Sequence, residues 1–283
     1  MTYNEVVTKW RSKKLKTVFD YTTNLIKFCI EFTCNSNNVE NGSLNYHTTK
    51  EVYEDAPLSM TGANPRDLFE ARNTKFAFGY LFKCLENNEQ ISLDMIKHVH
   101  KLVTYGTYDE VRWEKGERPG EFKKGDYVVG LTDEGSFADE VVDDLSELLN
   151  EVNEAVSENR DALTIAAYFH LRFEQIHPFA DGNGRVGRLL LCYFLMLNNL
   201  PPVNIYYEDR DTYYLALEVF DRKGEIKGFI EFLKEQTIKT WTIRKPKYTL
   251  EQITRARELA PSAYANLSDD ELWELVGNYI TKG

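Results

Sequence analysis

Apolar residues along this chain recur mostly at intervals of three and four. Leu15, Val18, Phe19, Thr22, Leu25, Ile26 and Cys29 form one such stripe, the mark of an amphipathic helix. The pattern runs on to "SNNVENG", where Asn41-Gly42 supplies the usual C-terminal stop. A second helical pattern starts near Arg66 and continues through "LFEARNTKFAFGYLFKCL"; a third, "SLDMIKHVHKLV", is opened by Ser92 as a cap. The same spacing returns in "DEVVDDLSELLNEV", "ALTIAAYFHLRFEQI", "GRVGRLLLCYFLML", "RDTYYLALEVF" and "KGFIEFLKEQTIKTW". The exception is residues 118–135, "RPGEFKKGDYVVGLTDEG", where four glycines and a proline surround short β-favouring pieces. It reads as an exposed hairpin. The tail holds Pro261 and two short helices, with Ser268 capping "DDELWELVGNYI". The expected fold is mainly α with one β-hairpin, and nothing repeats with a period that would suggest a solenoid.

Composition narrows the partners. Lysine plus arginine minus aspartate plus glutamate gives 34 − 45 = −11, which argues against a sequence-independent grip on nucleic acid or on an anionic membrane. Residues 250–283 carry three basic and six acidic groups, the wrong balance for a DNA-binding tail. The four cysteines, Cys29, Cys34, Cys84 and Cys192, show no C-x-x-C spacing, so a reducing compartment fits. The N-terminus lacks a signal-peptide apolar core, and the longest apolar run, Leu189 to Leu197, is less than half a membrane span. These features point to a soluble cytoplasmic protein.

The chemistry concentrates in "HPFADGNGRVGR", His177 to Arg188. Gly182-x-Gly184-x-x-Gly187 matches a dinucleotide fingerprint, but that motif follows a strand, and here a helical pattern precedes it. A helix beginning near Gly184 presents unpaired amides to an anion, and glycine lets a phosphate approach the backbone. Arg185 and Arg188, three apart, share a face over that end. Cations oppose the macrodipole there, so two of them imply an external anion. Asp181 supplies a hard oxygen of the kind Mg²⁺ takes beside substrate phosphates. Asn183 can donate to a phosphate oxygen, and His177 can take a proton near neutral pH. The set describes phosphorus chemistry. A zinc site from His170, Glu174 and His177 is disfavoured, since H-E-x-x-H is absent and no cysteine joins them; His170 and Glu174 read as structural.

These twelve residues match the signature H-x-F-x-[D/E]-G-N-G-R-x-x-R at every fixed position, and with "FHLRFEQIHPF" before and "RDTYYLALEVF" after, the chain resembles the Fic family over about 200 residues. The resemblance implies a helical bundle with a β-hairpin flap, and transfer of AMP from ATP to a hydroxyl (Tyr, Ser or Thr) of a target protein. His177 would deprotonate that hydroxyl and Asp181 would hold Mg²⁺. Gly182, Asn183 and Gly184 would line the phosphates, Arg185 and Arg188 would neutralise the pyrophosphate side, and Tyr214 would line the nucleotide pocket. Asp221 stands where some relatives carry asparagine, and Lys123 where an arginine is often found in the flap. The flap, about 118–135, would dock the target by strand addition; self-modification is an alternative target. The implied organisation is an N-terminal helical region over 1–90, a catalytic core over 91–245 and a C-terminal helical extension over 246–283.

"SNNVEN", Ser36 to Asn41, adds a regulatory expectation. A glutamate in the last turn of a helix is unfavourable by about 0.3–1 kcal/mol, so a partner for Glu40 is expected. The segment also resembles the family's inhibitory motif [S/T]-x-x-x-E-[G/N]. By that likeness Glu40 would pair with Arg188 and deny it to the γ-phosphate, with Ser36 one turn earlier steadying the segment. In some inhibited relatives the same glutamate helps remove AMP, so a de-AMPylating or dual enzyme is an alternative. A nucleotide-binding recruitment module without catalysis is another.

Overall fold

The computed structural model describes residues 1–40, 42–55, 64–129, 133–242 and 250–259, together with positions 264, 267, 269, 272 and 273. The chain divides into two compact units, 1–241 and 242–283. In the first, α1 (Tyr3–Ser12), α2 (Val18–Val39), α3 (Tyr46–Tyr53), α4 (Pro65–Glu86), α5 (Leu93–Val103) and α6 (Glu110–Glu114) precede a two-residue antiparallel ladder, β1 (Val128–Val129) with β2 (Asp133–Glu134). Then follow α7 (Val141–Ser157), α8 (Ala162–Ile176), α9 (Asn183–Leu197), α10 (Arg210–Lys223) and α11 (Lys227–Trp241). The second unit contains α12 (Leu250–Leu259), with Ile253, Ala256 and Leu272 buried together. Asn41, Gly130 to Thr132, Pro261, Ser268 and most of the segment Ser268 was expected to cap lie outside the described residues.

Helix starts follow local capping chemistry. Thr2 with Glu5 and Thr17 with Asp20 form reciprocal capping pairs at α1 and α2. Asn64 with Pro65 opens α4, Ser92 accepts the Met95 amide at α5, and Asp161 accepts the Thr164 amide at α8. The helix α9 differs. Its cap is Gly182, with no side-chain hydrogen bond to its first turn, so its amides are not capped from within the loop.

That helix is the centre of the unit. Val186 through Met196 are all buried, as expected of a helix surrounded by others, and it packs on α8, α5, α4 and α2. Behind it, Phe28 and Phe32 of α2 meet Phe78 of α4 edge-on, while Trp10 of α1 tilts against Trp241 of α11. The expectation of a mainly helical fold holds. Three short helices, α1, α3 and α6, lie beyond the sequence patterns recognised above. All four cysteines are free, and no helix among the described residues is long and apolar enough to cross a membrane.

Candidate active site

The loop between α8 and α9 is built by backbone strain and buried polar pairs. His177 caps α8 in the left-handed region at φ 50°, ψ 62°, its amide bonded to the Phe173 carbonyl at 3.1 Å. A non-glycine residue held there costs about 1–3 kcal/mol. The surroundings fix it on both sides: the Ser136 amide donates to the Ile176 carbonyl at 3.1 Å and the Lys123 amide to the Pro178 carbonyl at 2.9 Å. Six residues after His177, Asn183 closes the turn. Its Oδ1 accepts the Phe179 amide at 2.9 Å and its Nδ2 donates to the Phe179 carbonyl at 2.7 Å. The Asn183 side chain is thus buried, with its oxygen and one amide hydrogen engaged in folding the loop. Gly182 sits at φ 83°, where a Cβ would be strained.

His100 of α5 ties this loop to the hairpin segment. Its Nδ1 accepts the Gly120 amide at 2.8 Å, which leaves Nε2 to carry the proton and donate to the Asp181 carbonyl at 3.0 Å. The ring stacks on Phe179 at 3.7 Å and 3°. Sequence reasoning missed this residue. Nothing in its helical spacing distinguishes it from an ordinary core histidine.

Asp181 and Arg185 belong to an ion-pair network that spans the loop, α4 and α6. Asp181 Oδ2 lies 2.8 Å from Arg66 Nη2 and 3.5 Å from Arg112 Nη2, while Oδ1 lies 3.2 Å from Arg185 Nη2. Arg185 Nη1 is 2.6 Å from Glu70 Oε1, which Arg66 Nε also approaches at 3.0 Å. Burial works against the Asp181 charge, but Arg185, Arg112 and Arg66 together hold its carboxyl below the ordinary value. Glu70, Arg66 and Arg112 were not anticipated. As a metal ligand set, a single carboxylate suits Mg²⁺ that arrives with phosphates and keeps most of its shell in phosphate and water oxygens; no group of three or more metal-binding side chains occurs among the described residues.

The other arginine meets the end of α2. Arg188 is 1% exposed. Its Nε donates to Ser36 Oγ at 3.0 Å, and its Nη2 donates to the Ser36 carbonyl at 3.0 Å and to Glu40 Oε1 at 2.9 Å. Burial opposes its charge, yet Glu40 and its other polar neighbours keep it firmly protonated. Glu40 caps α2, and its carboxylate lies over Gly184: a Cβ there would stand 2.2 Å from Glu40 Oε1 and 2.9 Å from Arg188 Nη1. A carboxylate therefore lies beside the first turn of α9. Arg188 Nη1 is buried and has no hydrogen-bond partner. Tyr214 is partly exposed and donates to the Val39 carbonyl at 3.3 Å, one residue from Glu40.

Three histidines, His100 and His170 buried and His177 partly so, stay neutral. Burial pushes His100 and His170 down to about 3, and burial with the nearby Lys123 charge pushes His177 down to about 4. Burial beside these groups raises Glu174 to about 8. Below the ordinary histidine value near 6.5 the unfolded chain takes up protons that the folded chain refuses, so stability falls as pH drops. Glu174 acts oppositely, because its folded value lies above its unfolded one. From pH 7 to pH 5 each histidine removes about 2 kcal/mol and Glu174 returns somewhat more than that, a net loss of about 3 kcal/mol. Urea unfolding at the two pH values measures it; equal midpoints would contradict the neutral histidines.

The unit is a helical bundle whose central helix opens on a loop carrying a strained histidine, an acid and two buried arginines. Residues 90–195 of the chain match the model of the Fic/DOC family. Among curated relatives it is 30% identical over 217 residues to "Protein adenylyltransferase Fic" of Aedes aegypti, covering 75% of this chain and 40% of the relative. It is 27% identical over 201 residues to "Protein adenylyltransferase fic-1" of Caenorhabditis elegans, covering 70% and 38%. The chain thus spans about two fifths of the length of these relatives. Among solved structures, a Fic domain-containing signalling protein from Bacteroides thetaiotaomicron superposes with a TM-score of 0.71 at 22% identity, over 84% of this chain and 93% of that one. Fic-1 from C. elegans gives 0.65 at 24%, over 83% and 68%. At that identity these structures speak for the fold.

Proposed function

We propose that this chain is a protein adenylyltransferase that holds itself in check. It moves AMP from ATP to a tyrosine, serine or threonine hydroxyl of a target protein and releases pyrophosphate. The observation that carries this reading is the contact of Arg188 with Glu40 and Ser36, made over Gly184 at the start of α9. The cationic space beside the first turn of α9 is filled from within, by a carboxylate that a phosphate would have to displace.

In the reaction, the acceptor oxygen forms a bond to the α-phosphorus as the bond from that phosphorus to the bridging oxygen breaks. The hydroxyl proton passes to the His177 imidazole, and pyrophosphate leaves with the electron pair. Gly182, Asn183 and Gly184 serve through their backbone amides, because the Asn183 side chain is engaged with Phe179. Arg188, with its unpartnered Nη1, answers the γ-phosphate end, Arg185 stands next to it, and Tyr214 lines the nucleotide. Asp181 would hold Mg²⁺, which neutralises phosphate charge when bound. For Asp181 to do so, Arg66 or Arg185 must turn from the carboxylate to the phosphates.

The proposed organisation keeps an inhibitory helical region over 1–90, a catalytic core over 91–245 whose hairpin segment docks the target, and an extension over 246–283, in a cytoplasmic protein. Removal of AMP from a modified target is a second activity worth assaying, since the Glu40 carboxylate is 38% exposed beside the loop and can reach water. The deciding experiment incubates the Glu40→Gly protein with ATP and Mg²⁺ and weighs it and candidate targets intact. Addition of one adenylyl mass supports transfer; unmodified protein after prolonged incubation with all candidates counts against it.

A further inference from the structure

Lys123 is a buried cation that the reaction above leaves unused. It is 3% exposed, and its Nζ has no hydrogen-bond partner. An ammonium buried without a partner is costly, by several kcal/mol. Asp126, Glu117 and Asp144 of α7 favour its charge only through space, and burial draws its proton affinity below the ordinary lysine value. Such a charge persists where it has work to do.

The geometry shows where that work lies. A Cβ at Gly135 would stand 2.7 Å from the His177 Cβ, 2.8 Å from the Ile176 carbonyl oxygen and 3.0 Å from Lys123 Nζ. The ammonium and the histidine therefore meet over the same face of one bare glycine, where a side chain would stand between them. The backbone at Lys123 and Ser136 bonds to the residues flanking His177, and these two hydrogen bonds tie the segment that carries Lys123 to the loop that carries His177. We propose that Lys123 is a positioning residue for AMP transfer: packed with His177 against Gly135, its ammonium keeps the imidazole in the proton-accepting form while a polyphosphate fills the loop.

This rests on the transferase reading and adds the reason for a cation at this place. Charged groups face His177 from three directions: Lys123 from the hairpin segment, Glu40 from the end of α2 and Asp181 from the loop, with the Glu174 backbone behind. Both carboxylates favour the imidazolium, and an incoming triphosphate adds to them. Lys123 is the charge that opposes them. A histidine protonated by its own substrate's field could not accept the hydroxyl proton.

The test follows the His177 imidazole by NMR from pH 5 to 8.5, with and without a non-hydrolysable ATP analogue and Mg²⁺. Wild type, Lys123→Met and Lys123→Arg are compared, the signal being assigned by its loss in His177→Asn. With the analogue bound, Lys123→Met should raise the titration midpoint by about one unit or more, and Lys123→Arg should restore it. In the Glu40→Gly background the acid limb of AMP transfer should move up by the same amount. The melting temperature of Lys123→Met should equal or exceed that of wild type, because an unpaired charge is removed. A midpoint unmoved in folded Lys123→Met overturns the proposal, as does a melting temperature well below wild type, which would mark Lys123 as packing. Complete absence of AMP transfer from wild type and Glu40→Gly alike would instead sink the transferase reading, while the midpoint still reports on Lys123.

Discussion

Replacing Glu40 by glycine is expected to raise AMP incorporation from ATP about 5- to 150-fold, the range of a coupling of 1–3 kcal/mol between two sites. The substitution removes the carboxylate that lies against Gly184 and draws on Arg188, and so opens the space beside Gly184 and one guanidinium nitrogen to an incoming phosphate. It also removes a partner from a buried arginine. Breaking a fully buried pair costs about 3–5 kcal/mol, but the Glu40 side chain is 38% exposed and Arg188 keeps two bonds to Ser36. A loss of about 1–2 kcal/mol is the reasonable expectation. The signature is therefore paired: activity up, unfolding midpoint down. Side-by-side rates with radiolabelled ATP, together with a urea titration of each protein, measure both. Equal rates would remove the inhibitory role of Glu40 and leave AMP transfer itself untouched.

Ser36 separates the two contributions. Ser36→Ala deletes one hydroxyl acceptor from Arg188 Nε but leaves the backbone carbonyl contact and the carboxylate in place. Its effect on rate is expected to be a fraction of that of Glu40→Gly, because the steadying contact goes while the blocking charge stays.

What the sequence disclosed and what it concealed divide along the range of the interactions. The stripe from Leu15 to Cys29, the Ser92 cap and the apolar run after Gly184 are encoded within one or two helical turns, and α2, α5 and α9 form where those signals stand. The unfavourable placement of Glu40 at a helix end was likewise a local fact, and it announced a partner without naming how the partner would be reached. Arg66 and Asp181 are 115 positions apart, and no periodicity links them. The same is true of Glu70 with Arg185, and of His100 with both Gly120 and Asp181. Asn183 is a different case. A neutral donor in an anion loop was a sound guess from residue type, but the left-handed His177 and the turn after it leave the Phe179 amide and carbonyl without helical partners. The nearest side chain able to satisfy both is that of Asn183. Two arginines at a helix start implied external anions by electrostatics alone; the fold supplies Glu70, Asp181 and Glu40 from three separate segments.

Removing the imidazole should abolish labelling, and the choice of replacement decides what is learned. In the Glu40→Gly background, His177→Ala and His177→Asn are both expected to lower AMP transfer about 10²- to 10⁴-fold, the usual worth of a positioned general base. Nucleotide affinity should stay within about threefold, because on this reading the phosphates are held by the α9 amides and Arg188, which begin six residues further along. The two variants part on stability. At φ 50° an alanine is strained where an asparagine is tolerated, so His177→Ala should unfold at lower urea than His177→Asn, by about 1 kcal/mol. Equal loss of rate with unequal stability assigns the defect to the missing proton acceptor. Rates that instead track stability would mean that the loop geometry alone had been damaged. A pair of variants that label as well as their parent would show that His177 is not the proton acceptor, whereas a parent that binds nucleotide and never labels would fit the recruitment module that the sequence also allows.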